Sequence, residues 1–337
     1  MLRPQMASPN SRSALLILLA VAALLVGCGG DEGKESAKAA RQTTLLLDFT
    51  PNAVHSGTYL AAARGCDRRN GVKLKIQVPA NGADSVKLLR AGRADMAYMD
   101  IHDLALAEEK DPGKLVGVMA LVQRPLAAVL AVKDINRPRD IEGHRAGVSG
   151  LPSDVAVLRS VIAGDGGDPD KVKMVTIGFQ AVPALLAKRM AAATGFWNAE
   201  GVALRAKRPT YKEFRVDDFG APQYPELVLV TKRSTLQKDP DLVRGTILGL
   251  RCGYDAALKD PPAAITALTK GAPGVDADAA RREFLAVAPT FEPPGGRFGD
   301  LRRKELTQWA GWEKRFGIVS RRPDVSRLFV FDLAGTQ

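Results

Sequence analysis

From residue 43 to residue 231, short β-branched or apolar runs alternate with segments whose apolar residues recur at helical spacing. That grammar is passed through twice. Residues 43–47, 72–78 (VKLKIQV), 95–99 and 116–122 read as strands of a first unit, with helices over 59–64, 86–91 and 104–110. Residues 144–149, 171–177 (KVKMVTI), 192–196 and 213–216 read as strands of a second unit, with helices over 155–162 and 182–188. Residues 127–132 supply a strand between the units, and 227–231 (LVLVT) a later strand of similar character. Beyond it the chain reads as helical, over 241–258, 262–270, 277–288 and 301–316. Trp309 and Trp312 fall where the last of these would dock on a core.

Alternating strands and helices call for parallel-rich sheets covered by helices. Two units with a strand between them and a return strand call for two lobes, two crossings and a cleft. The 337 residues exceed one typical core and suit two domains. The expected partition is 43–126 plus 227–337 for the first lobe and 127–226 for the second.

The N-terminus reads as an export signal. Arg3 and Arg12 precede an uninterrupted apolar run over 14–26, too short for a comfortable membrane span. The run ends in Leu25-Val26-Gly27-Cys28, which resembles a bacterial lipobox. Residues 1–27 are then a signal peptide, Cys28 the lipidation site, and 28–42 a flexible tether. Cys66 and Cys252 remain. An exported protein could join them, but spacing does not say whether they meet. With no CxxC or His-x-Cys spacing, no metal site is expected.

The net charge of +11 comes from scattered Lys and Arg, without any nucleic-acid-binding pattern. No nucleic-acid partner is expected. The sequence also holds no GxSxG, HExxH, Walker loop or CxxC, and no acid/base pair stands out among its carboxylates.

The polar and aromatic residues cluster instead at the expected strand ends, where ligands bind in open α/β sheets. The clusters are 48–59, 100–103, 149–154, 197–200 and 217–224. Phe49, Tyr59, Trp197 and Tyr224 offer flat faces. Asn52 and His55 can both donate and accept, and Asp100 and Glu200 accept.

The passages DFTPNAVHSGTYLAAARG, VTIGFQAVPALLA, FWNAEGVAL and FRVDDFGAPQYPELVLV resemble the NMT1/THI5-like substrate-binding proteins of ABC transporters. The likeness runs from about residue 43 to about 260. It implies a type II periplasmic-binding-protein fold: two α/β lobes, a two-segment hinge, and closure over one small molecule. It also implies a non-enzymatic, monomeric lipoprotein without cofactor, held at the extracytoplasmic face of the cell membrane and serving a permease and an ATPase. The implied ligands are thiamine pyrimidine precursors such as formylaminopyrimidine and hydroxymethylpyrimidine. Riboflavin and organic anions such as sulfonates are the alternatives, and a pyrimidine-precursor synthase is a further one.

Carried over, Phe49, Asn52, His55, Tyr59, Asp100, Trp197, Glu200 and Tyr224 form the implied ligand site. The aromatics would sandwich a ring, and Glu200 would accept from an amino group. Phe49 stands where many members carry Trp. Met99-Asp100-Ile101-His102 replaces a stretch with Tyr and Gln common in thiamine-precursor binders. Cys66-Asp67 replaces an aromatic pair, and Met190-Ala191-Ala192 lacks an acid often found there.

Overall fold

The computed structural model describes residues 40–79, 84–331 and 333. The segment read as a signal peptide and Cys28 lie outside them. Among the described residues, no helix is long and apolar enough to cross a membrane. Among the described residues, ten strands form two five-stranded sheets. They are β1 (Arg41–Leu46), β2 (Val72–Gln77), β3 (Met96–Asp100), β4 (Leu115–Ala120), β5 (Ala127–Ala131), β6 (Arg145–Val148), β7 (Lys173–Thr176), β8 (Ala192–Phe196), β9 (Lys212–Arg215) and β10 (Leu227–Lys232). The first strand begins inside the segment read as tether.

The first sheet runs β2-β1-β3-β10-β4 and the second β7-β6-β8-β5-β9. In each, one strand runs against its neighbours: β10 pairs antiparallel with β3 and β4, and β5 with β8 and β9. The chain crosses from β4 to β5 through residues 121–126 and returns from β9 to β10 through 216–226. Both crossings sit at the end of each sheet where β1, β3, β6 and β8 finish, which puts those strand ends, from both lobes, at the junction.

Burial explains the strand sequences. β3, β4, β5 and β10 are buried on both faces and so read as continuous apolar runs. β2 sits at an edge and alternates, with Lys73 exposed. Each expected helix forms within a few residues of its expected bounds. Trp309 and Trp312, on helix Arg303–Arg315, are both buried. Trp309 meets Phe329 edge-on, and Trp312 lies against Tyr224 and His102.

The long helix Pro240–Lys259 presents Gly245, Gly249 and Gly253 at four-residue spacing. This stripe lets it press on Asn70, Asp67 and Gly57: a Cβ on Gly253 would lie 2.3 Å from the Gly57 carbonyl oxygen. Backbone cannot rotate away as a side chain can. Gly253→Val should therefore cost about 1–3 kcal/mol through overpacking, read as a lower urea midpoint at unchanged slope. On the same helix Cys252 is bonded to Cys66, with Cα atoms 5.8 Å apart. The pairing that the sequence left open is thus made, between two elements that flank the first sheet.

Candidate ligand-binding cleft

The first wall is the loop after β1. Pro51 and Asn52 lead into a short 3-10 turn, Ala53–His55, that runs straight into helix Ser56–Ala63. Asn52 caps this turn: its Oδ1 accepts from the Val54 N–H at 2.9 Å, and its Nδ2 donates to the Thr50 carbonyl at 3.1 Å. His55 completes a capping box by accepting the Asn52 N–H at Nδ1, 3.2 Å away. Its Nε2 therefore carries the proton and donates to Asp48 Oδ1 at 2.7 Å. His55 is fully buried, with its ring parallel to that of Tyr98. Beneath it, Tyr98 and Tyr254 share the Thr58 hydroxyl, and Tyr254 donates to the Val54 carbonyl at 2.7 Å.

Asn52 and His55 thus shape the loop before they can touch a ligand. Phe49 does the opposite. It is 37% exposed at the rim and meets Phe179 of the second lobe, ring centroids 5.5 Å apart. Tyr59 is turned away from the loop: it is buried with its ring where a Cβ on Gly271 would fall. Burial pushes its hydroxyl pKa up.

The second wall is built at the ends of β6 and β8. Asp154 Oδ2 accepts from the Ser149 N–H at 2.8 Å and the Thr194 hydroxyl at 3.1 Å. Glu200 begins helix Glu200–Lys207 and accepts the Phe196 N–H at 3.0 Å. Burial pushes its carboxyl above the usual range, against the pull of backbone N–H groups from Glu200 and Phe196. The acid is thus both a helix-start group and a desolvated carboxyl at a strand end. Glu283 of the first lobe is close enough to feel it electrostatically, and accepts the Ala53 N–H.

Trp197 has a different place. Its side chain is 1% exposed, its Nε1–H donates to the Pro125 carbonyl at 2.8 Å, and the Arg215 guanidinium lies 4.1 Å above its ring. The indole is a keystone between the first crossing and the second lobe.

The floor lies at the crossings. Arg124 bridges to Asp217 and Asp218 at 2.6 and 3.0 Å, strapping one crossing to the other. Glu226 does the same from inside, accepting the Leu126 and Ala127 N–H groups at 2.6 and 3.1 Å. Asp100 ends β3 and caps helix Ile101–Lys110 by accepting the His102 N–H at 2.7 Å. Tyr224 lies beneath, fully buried, with its hydroxyl 3.4 Å from His102 Nε2.

His102 Nδ1 is held by Glu313 of helix Arg303–Arg315. Burial would push His102 down, but Glu313, Asp100 and Glu226 outweigh it and lift it to about 10. Burial also lifts Glu226 to about 8.

The structure therefore groups Phe49, Asn52 and His55 on one wall, Glu200 on the other and Asp100 on the floor. It sets Tyr59, Trp197 and Tyr224 in packing around them. Arg124, Phe179, Glu226 and Glu313 were not singled out from sequence. An acid directly before the apolar run of β10 was the one available sign of Glu226.

A family model described as NMT1/THI5 like matches residues 52–264. The formylaminopyrimidine-binding protein of Halalkalibacterium halodurans is 26% identical over 307 residues, covering 89% of this chain and 91% of that protein. A 4-amino-5-hydroxymethyl-2-methylpyrimidine phosphate synthase of Legionella pneumophila is 25% identical, covering 74% and 80%. Among solved structures, the periplasmic aliphatic sulphonate binding protein SsuA of Escherichia coli superimposes with a TM-score of 0.70 at 13% identity, covering 86% and 97%. The fold is the type II periplasmic-binding-protein fold.

Proposed function

The chain belongs to the NMT1/THI5-like family, and from that premise we propose that it is the extracytoplasmic solute-binding protein of an ABC importer. It binds a small aromatic heterocycle of the aminopyrimidine class and hands it to a permease driven by an ATPase subunit. The alignment with the formylaminopyrimidine-binding protein carries this reading, because its 307 residues extend over both lobes. The lobes are 43–126 with 227–337, and 127–226. Lipidation at Cys28 anchors the chain as a monomer at the extracytoplasmic face of the cell membrane.

In this reading Phe49 and Phe179 meet over the bound ring, and Glu200 accepts from its amino group. Asn52, His55 and Asp100 hold the surrounding backbone in place, so that few groups reorganise when the lobes close. The protein is a carrier and not a catalyst. The histidine of the first wall is buried with both ring nitrogens hydrogen-bonded, which suits a scaffold more than a reacting group.

The experiment is calorimetric titration with formylaminopyrimidine, with riboflavin and an alkanesulfonate run in parallel. Binding of the pyrimidine alone is the expected result. Glu200→Gln should weaken it about 10- to 100-fold, the loss of one hydrogen bond to a charged group. The glutamine oxygen still accepts the Phe196 N–H, so the melting temperature of the free protein should hold. A chain that ignores the pyrimidine and binds the sulfonate or the flavin would sink the assignment.

A further inference from the structure

Under the cleft floor lies a set of side chains that solute binding does not call for. Donor atoms of Asp100, His102 and Glu226 all fall within 4.8 Å of one another. His102 Nε2 stands 3.9 Å from Glu226 Oε1. That is too far for a hydrogen bond and a few tenths of an ångström beyond the roughly 3.3–3.6 Å that separates two donors about 2.0–2.2 Å from one tetrahedral cation, so a small inward shift of these side chains would let both reach it. Nε2 makes a long contact with the Tyr224 hydroxyl at 3.4 Å. Nδ1, in contrast, is held firmly by the Glu313 carboxylate. A carboxylate on one imidazole nitrogen is how proteins orient the other nitrogen toward a metal.

Further carboxylates crowd the same place. Asp100, Asp103, Glu226 and Glu313 surround a single imidazole, and among the described residues none of the four forms an ion pair with Lys or Arg. Glu313 Oε2 is fully buried with no hydrogen-bond partner.

We propose that Asp100, His102 and Glu226 form a binding site for one divalent transition-metal ion, with Glu313 as the residue that positions His102. One imidazole nitrogen and two carboxylates suit Zn²⁺, whereas Mg²⁺ and Ca²⁺ prefer all-oxygen sets. Binding releases the proton on Nε2. Asp100 is half-buried and ends a strand at the cleft, so a fourth position opens on that side. Through Glu226, which also holds Leu126 and Ala127, the ion joins both crossings to the C-terminal helix. The donors come from segments more than a hundred residues apart, which is why motif spacing led to the opposite expectation.

The test is titration of Zn²⁺ into the untagged, chelator-treated chain by calorimetry, with Co²⁺ absorption as a second readout. One ion per chain is expected, with Mg²⁺ not competing. Asp100→Asn keeps the cap on helix Ile101–Lys110 and should weaken Zn²⁺ at least tenfold. Glu313→Gln should weaken it about 10- to 100-fold and shift the Co²⁺ bands. Absence of stoichiometric binding, or binding that Asp100→Asn leaves unchanged, would overturn the site. Neither result bears on whether the pyrimidine binds, which the solute titration reads separately.

Discussion

Trp197→Ala is expected to destabilise the protein by about 3–5 kcal/mol, the usual cost of deleting a buried tryptophan. The indole is 1% exposed, so the deletion leaves a cavity that its neighbours can only partly fill. It also leaves the Pro125 carbonyl in the first crossing without its donor, and removes the ring under the Arg215 guanidinium. Reading Trp197 from sequence as a ligand-stacking face leads to the opposite forecast: affinity lost, stability intact. Urea denaturation of the free protein separates the two. An unfolding free energy within about 1 kcal/mol of the parent, together with lost pyrimidine binding, would restore the stacking role. Trp197→Phe fills most of the space but lacks the N–H, so it should fall between.

Opening the Cys66–Cys252 bridge should cost about 2–5 kcal/mol. The two cysteines are 186 residues apart. Constraining so long a loop in the unfolded chain is worth about 5 kcal/mol in the chain-entropy account, and measured losses run up to that figure. Cys252→Ser tests this without a reductant, and the double variant Cys66→Ser/Cys252→Ser removes any stray thiol. Both should melt well below the parent and lose the effect of dithiothreitol. Equal melting temperatures for the parent with and without reductant would show that the bridge contributes nothing. Because it joins two elements of the first lobe, solute affinity should be nearly unchanged wherever the chain remains folded.

Much of this architecture is legible in the chain because its signals are local. Strands such as KVKMVTI and LVLVT, and the helices between them, follow from apolar spacing over fewer than fifteen residues. The walls of the cleft follow from polar clusters at strand ends. Functions that depend on what a group meets far away are not legible. Asn52 and His55 have the chemistry of ligand contacts, yet the same donors and acceptors can close a capping box, and here they do. Trp197 looks like a stacking face until Pro125 is found opposite its N–H. His102 and Glu313 meet across 211 residues, and no pattern in either segment announces the other. Two cysteines behind a segment that reads as an export signal made a bridge conceivable, and only the packing of helix Pro240–Lys259 on its neighbours brings them together.

Because β10 lies between β3 and β4, the first sheet stays split until residues 227–232 have arrived. The second sheet, by contrast, is drawn from one unbroken stretch, from β5 to β9, and needs nothing that follows it. A chain threaded through a translocon from its N-terminus would therefore complete its second lobe first, while β4 waits without a strand partner. Until then β3 and β4 present apolar edges suited to a chaperone or to another unfinished copy. Truncation before residue 227 should leave a soluble second lobe attached to an aggregation-prone remnant. For the extracytoplasmic protein proposed above, yield on export then depends on how quickly the last third of the chain follows.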